Sequence, residues 1–96
     1  MSQQSVRARL QDKLEAAFAP NELVITDESH LHEGHAGARE GGESHFRIRI
    51  VSDAFRGQNR VARQRTVYKA LAEELAGPVH ALALKTLTPE EAAGET

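Results

Sequence analysis

From His45 to Val51 the chain reads His-Phe-Arg-Ile-Arg-Ile-Val, so Phe46, Ile48 and Ile50 alternate with Arg47 and Arg49. A two-residue apolar period belongs to a strand with one buried and one polar face. That buried face needs a cover, and 96 residues supply one core from which to build it. Helical periodicity on either side provides the cover. Val6, Leu10, Leu14, Ala17 and Phe18 recur at helical spacing ahead of Pro20. Val61 to Leu75 forms the main helix, with Asn59 placed to cap it and Gly77-Pro78 to end it. Glu22–Thr26 and Val79–Lys85 read as two further strands. Thr88-Pro89-Glu90-Glu91 starts a last helix, with proline in the first turn and acids near the positive helix end. The order is α-β-β-α-β-α. It predicts a single α/β (α+β) domain over residues 1–96, a three-stranded sheet with helices packed on one face, and frayed tails at 1–4 and 92–96.

Composition narrows the function classes. The chain is 40% hydrophobic and 27% charged, the balance of a soluble globular domain, with no apolar run long enough to span a bilayer. Met1 to Gln11 lacks a hydrophobic signal core, so no cleaved targeting segment is expected. The absence of cysteine excludes a disulfide scaffold, a thiolate zinc site and a thiol nucleophile within the sequence. Cytoplasmic residence, away from membranes, is the expectation. The net charge of −2 conceals two blocks. Residues 22–43 carry six acids against Arg39, and residues 47–69 carry seven bases against Asp53. Such a dipolar surface fits internal pairing, and equally an anionic partner docking on the basic block.

Four of the five histidines surround one glycine-laden segment. His30, His32 and His35 lie within six residues, and His45 follows Gly41-Gly42-Glu43-Ser44. His80 opens a separate run, Val79-His80-Ala81-Leu82. Imidazole nitrogens suit zinc, copper and iron, so metal or metal-cluster binding leads the functional hypotheses. His30 and His32 are read as solvated. A three-histidine zinc site would need the loop to fold back on the third strand.

Catalytic constellations are weak, and no enzyme activity is expected. Ser44 and His45 would point to opposite faces of a strand and so form no dyad. Gly41-Gly42 leads into a strand rather than a helix, the wrong context for a phosphate loop.

Taken in order, several short motifs resemble the BolA family. They are Thr26-Asp27-Glu28-Ser29, His32-Glu33-Gly34-His35, Glu43-Ser44-His45-Phe46, Phe55-Arg56-Gly57, Arg63-Gln64-Arg65-Thr66-Val67-Tyr68, Val79-His80-Ala81-Leu82 and Thr86-Leu87-Thr88-Pro89-Glu90. The resemblance runs from about Val6 to Glu91. It implies an αββαβ fold similar to a type II KH domain, and a non-enzymatic partner of monothiol glutaredoxins. In such a heterodimer a 2Fe–2S cluster is shared, with the glutaredoxin cysteine and bound glutathione holding one side. Carried onto this chain, the other ligands are His80 and His35, with His45 as fallback. Imidazole ligation raises a cluster's potential relative to all-thiolate ligation, and fails as histidines protonate near ~6.5. Family members usually carry histidine where this chain has Gln64. Val61, Tyr68 and Leu71 fall near the same helical face, so Gln64 is expected to make a polar contact.

The alternative function is nucleic-acid binding, as in KH-like domains and BolA-like transcriptional regulators. Arg56, Arg60, Arg63, Arg65 and Lys69 would contact DNA phosphates, or dock an acidic partner surface. Phe55-Arg56-Gly57-Gln58 lacks the Gly-x-x-Gly clamp, and the three phenylalanines and Tyr68 are read as core. An exposed sheet edge leaves homodimer formation open.

Overall fold

The computed structural model describes residues 5–28 and 44–95. Ser5 opens α1 (Val6–Phe18) by accepting the Ala8 amide, which satisfies one of the donors a helix start leaves bare. Val6, Leu10, Leu14 and Phe18 form the buried stripe of this helix. It ends where Ala19 turns left-handed, φ 43°, just ahead of Pro20. β1 (Glu22–Asp27) and β2 (His45–Val51) pair antiparallel, with Ile25 opposite Ile48. β3 (Ala81–Leu87) pairs parallel with β2, so the sheet order is β1-β2-β3.

Between β2 and β3 the chain crosses the helical layer. Ser52 caps a short 3-10 turn, Asp53–Phe55, and its hydroxyl donates to the Phe18 carbonyl at 2.7 Å. This places the Phe55 ring 5.2 Å from that of Phe18. Asn59 accepts the Ala62 amide and caps α2 (Arg60–Ala70), as its position before the helix predicts. α3 (Ala72–Ala76) follows, and α4 (Pro89–Ala93) begins with a reciprocal capping box between Thr88 and Glu91.

The sheet therefore has two unlike faces. Phe46, Ile48 and Ile50 project into a core with Leu10, Leu14, Phe55, Val67 and Leu71. Residues one step out of phase, such as Val24, Arg47, Arg49, Ala83 and Lys85, lie on the open face.

Three elements differ from the sequence reading. The expected helix over 61–75 is two helices that break at Leu71, φ −105° and ψ 20°. The break buries Leu71 and turns Glu74 toward α1. There the fully buried carboxylate pairs with Arg9 at 2.8 Å and Lys13 at 2.9 Å. The third strand starts two residues late. Val79 spends its amide on the Glu74 carbonyl and its side chain on the core, so pairing runs from Ala81 to Leu87. Residues 92–95, read as a frayed tail, continue α4 to Ala93, and Glu95 pairs with Arg49 and Lys85. Residues 1–4 lie outside the described residues. Among the described residues, no helix is long and apolar enough to cross a membrane.

Candidate functional site

Parallel pairing of β2 and β3 brings the starts of both strands to one end of the sheet. The Ser44 carbonyl accepts the amides of His80 at 2.7 Å and Ala81 at 3.2 Å, which draws the exposed His80 beside the buried His45. Their ring centroids are 6.3 Å apart and the rings are inclined by 32°. Two imidazoles on one tetrahedral ion, with nitrogen–metal distances of ~2.1 Å, have centroids roughly 5 Å apart. The observed separation exceeds that by roughly 1 Å, with His80 the exposed member of the pair. The donor set fits: two imidazoles suit iron, zinc or copper.

Ser44 and His45 do touch, contrary to the expectation of opposite faces. Ser44 lies just ahead of the strand, and a hydrogen bond of 2.8 Å joins its Oγ to His45 Nδ1. With Nδ1 engaged by Ser44, a metal held by His45 would have to be held through Nε2. Beside the pair is a shallow cleft of about 240 Å³, lined by Glu28, His45, Arg47, Ala81 and Ala83 among others. Arg47 pairs with Glu28 across its rim at 3.0 Å. The cleft is smaller than the ~300–1,000 Å³ of pockets that enclose small-molecule ligands, so the two imidazoles are the chemically capable groups here. His35, like His30 and His32, lies outside the described residues. Among the described residues, no three histidine, aspartate or glutamate side chains converge on a metal position, so the pair needs donors from elsewhere.

The basic candidates divide into two sets. Arg63 is buried rather than offered to a partner. Its Nε donates to the Gln58 carbonyl, its Nη1 to the Thr86 carbonyl, and its guanidinium grips Glu91 at 2.6 and 3.3 Å. It also lies 5.9 Å from the centre of the Phe55 ring. This contact with Arg63, aided by the Thr88 amide, holds the Glu91 carboxyl down to about 2. Arg56 is tied to Asp53 at 2.7 Å and to Glu90. Arg60, Arg65 and Lys69 remain exposed on α2 with no ion pair among the described residues. Tyr68 is not core: it is 38% exposed, and Val61 is 57% exposed on the same helix. Gln64 is half-buried and makes no side-chain hydrogen bond among the described residues, so the expected polar contact is not found among them.

The fold defines a class, a small α+β domain with a three-stranded sheet, helices on one face and two imidazoles side by side at one end of the sheet. The chain belongs to the BolA family: the family model described as BolA-like protein matches residues 14–91. It is 48% identical over 86 residues to the DNA-binding transcriptional regulator BolA of Escherichia coli, covering 90% of this chain and 78% of that protein. It is 45% identical over 87 residues to SufE-like protein 1, chloroplastic/mitochondrial, of Arabidopsis thaliana, covering 86% of this chain. The match spans only 24% of that longer relative. The solved BolA domain of SufE1 from Arabidopsis thaliana superposes with a TM-score of 0.83 at 42% identity, covering 94% of this chain and 99% of the domain. Among the curated relatives, that of Mus musculus is named BolA-like protein 1.

Proposed function

We propose that this BolA-family domain is a non-enzymatic cytoplasmic adaptor for iron–sulfur cluster assembly, trafficking or iron regulation. It binds a monothiol glutaredoxin and lends imidazole ligands to a glutathione-supported 2Fe–2S cluster. His80 is the first ligand, and His35 or His45 the second. The observation that carries this reading is the 6.3 Å approach of the His45 and His80 rings at the sheet end. One imidazole is exposed there and the other is oriented by Ser44. Two imidazoles with no third donor among the described residues suit a cluster held between two proteins better than an ion held by one. When bound, the cluster would supply redox and transfer chemistry; the chain's own part is to present neutral imidazoles.

Anaerobic reconstitution of a monothiol glutaredoxin with glutathione, with and without this protein, tests the reading. Visible circular dichroism should change at 1:1 stoichiometry, and His80→Ala should abolish the change. An unchanged spectrum with no complex on size exclusion would sink it.

A second reading, DNA binding, is favoured by one observation: Arg60, Arg65 and Lys69 stand exposed along one helix without ion-pair partners among the described residues. The Escherichia coli relative is named a DNA-binding regulator. Three phosphate contacts give a slope of log affinity on log salt of about −2.7. A slope near zero would exclude this use of α2.

A further inference from the structure

The open face of the sheet carries a second charged constellation, four residues along β2 from His45. Arg49 on β2 and Lys85 on β3 are register partners and share that face. Together they hold one carboxylate by both oxygens. Arg49 Nη2 lies 2.5 Å from Glu95 Oε1, and Lys85 Nζ lies 2.6 Å from Glu95 Oε2. Glu22 takes the Arg49 Nε at 2.7 Å, which fixes the guanidinium so that its remaining edge faces the ligand position. The Glu95 carboxyl is accordingly held down to about 2, by Arg49 first and Lys85 second. Val24, opposite Arg49 on β1, is 47% exposed and supplies an apolar neighbour.

Glu95 itself is loosely tethered. It follows Gly94 at the end of a five-residue helix, and its amide reaches only the Ala92 carbonyl, at 3.2 Å. Its ion pairs are half-exposed, with Lys85 59% and Arg49 29% accessible. Exposed pairs of this kind are weak and exchangeable. A cationic pair that holds a carboxylate, filled by a glutamate of the same chain just after α4, has the form of a receptor with a tethered competitor.

We propose that Arg49 and Lys85 form a carboxylate-binding site on the open sheet face for an acidic, extended segment of a partner protein, with Glu95 occupying it in cis as a displaceable latch. Charge complementarity selects the partner chemistry. The alternation along the strands, which puts every second side chain on this face, suits an extended peptide, whose side chains on one side likewise repeat every two residues. The site needs no metal, so it stands or falls apart from the cluster reading.

The test is fluorescence anisotropy of a fluorescein-labelled Glu-Ala-Glu-Ala-Glu peptide against the full chain at low ionic strength. Glu95→Gln should bind at least threefold more tightly than the unsubstituted chain, because a tethered competitor has been removed. Glu15→Gln, which changes net charge equally, should not. In the Glu95→Gln background, Arg49→Gln with Lys85→Gln should weaken binding at least tenfold. The charge-matched Arg7→Gln with Lys13→Gln, on α1, should leave it unchanged. Lys85→Gln alone, at a side chain that is 59% accessible, should still weaken it severalfold. Equal losses in both double variants, or no gain from Glu95→Gln, would overturn the proposal. A thymidine hexanucleotide that bound more tightly through the same two residues would overturn the peptide assignment.

Discussion

The two faces of the sheet use charge in opposite ways. On the covered face, charged groups are enclosed and mutually satisfied. Glu74 is fully buried between Arg9 and Lys13, and Arg63 spends its donors on two carbonyls and Glu91. These pairs tie α1 to α3, and α2 to β3 and α4. On the open face and its histidine end, the charged and ligating groups stay partly accessible: His80, Arg47, Arg49 and Lys85. The lesson is that the basic block read from sequence is not one surface. Part of it is interior scaffolding, and only the accessible part can meet a partner.

The largest effect expected from this contrast is at Arg63. Arg63→Ala strips partners from the Gln58 and Thr86 carbonyls and should cost on the order of 3 kcal/mol. Thermal unfolding should then fall by more than about 10 °C. A loss of DNA affinity without loss of stability would contradict the interior assignment. Glu74→Gln should cost about 2 kcal/mol, less than Arg63→Ala because Arg9 and Lys13 keep some solvent. Chemical denaturation would read this as a lower midpoint with an unchanged slope.

Acid should act in the same direction through Glu91 and Glu95. Both carboxyls are lowered to about 2 from an ordinary 4.5. Depressed carboxylates contribute stability above the unfolded value and lose it as pH falls through the folded one. The melting temperature should therefore drop between about pH 4.5 and 2, and less steeply in Arg63→Ala. The smallest effect is expected at Ala19, whose left-handed backbone, φ 43°, suits glycine. Ala19→Gly should gain up to about 1 kcal/mol, seen as a small rise in melting temperature. A fall would show that the strain is offset elsewhere.

Much of the architecture was legible because periodicity reports burial directly. The Phe46-Ile48-Ile50 alternation located β2 at its observed bounds, and Asn59 and Thr88-Pro89 marked two helix starts by their chemistry. What stayed hidden depends on long-range pairing. Nothing local in Ala70-Leu71-Ala72 announces a break, which follows from burying Leu71 and aiming Glu74 at residues some sixty positions away. Arg63 looks like any helix arginine until Glu91 is folded against it. The approach of His45 to His80 follows from parallel register, which no spacing encodes. The Ser44 contact to His45 follows from a strand beginning one residue later than Ser44.

The most direct test of the central claim is pulsed electron paramagnetic resonance on the reduced, reconstituted complex with a monothiol glutaredoxin, using protein labelled with ¹⁵N-histidine. Strong histidine-nitrogen couplings to the cluster are expected, and their loss in His80→Ala while its melting temperature stays within a few degrees of the unsubstituted chain. A reduced cluster without histidine couplings, or with couplings unchanged by His80→Ala, would contradict it.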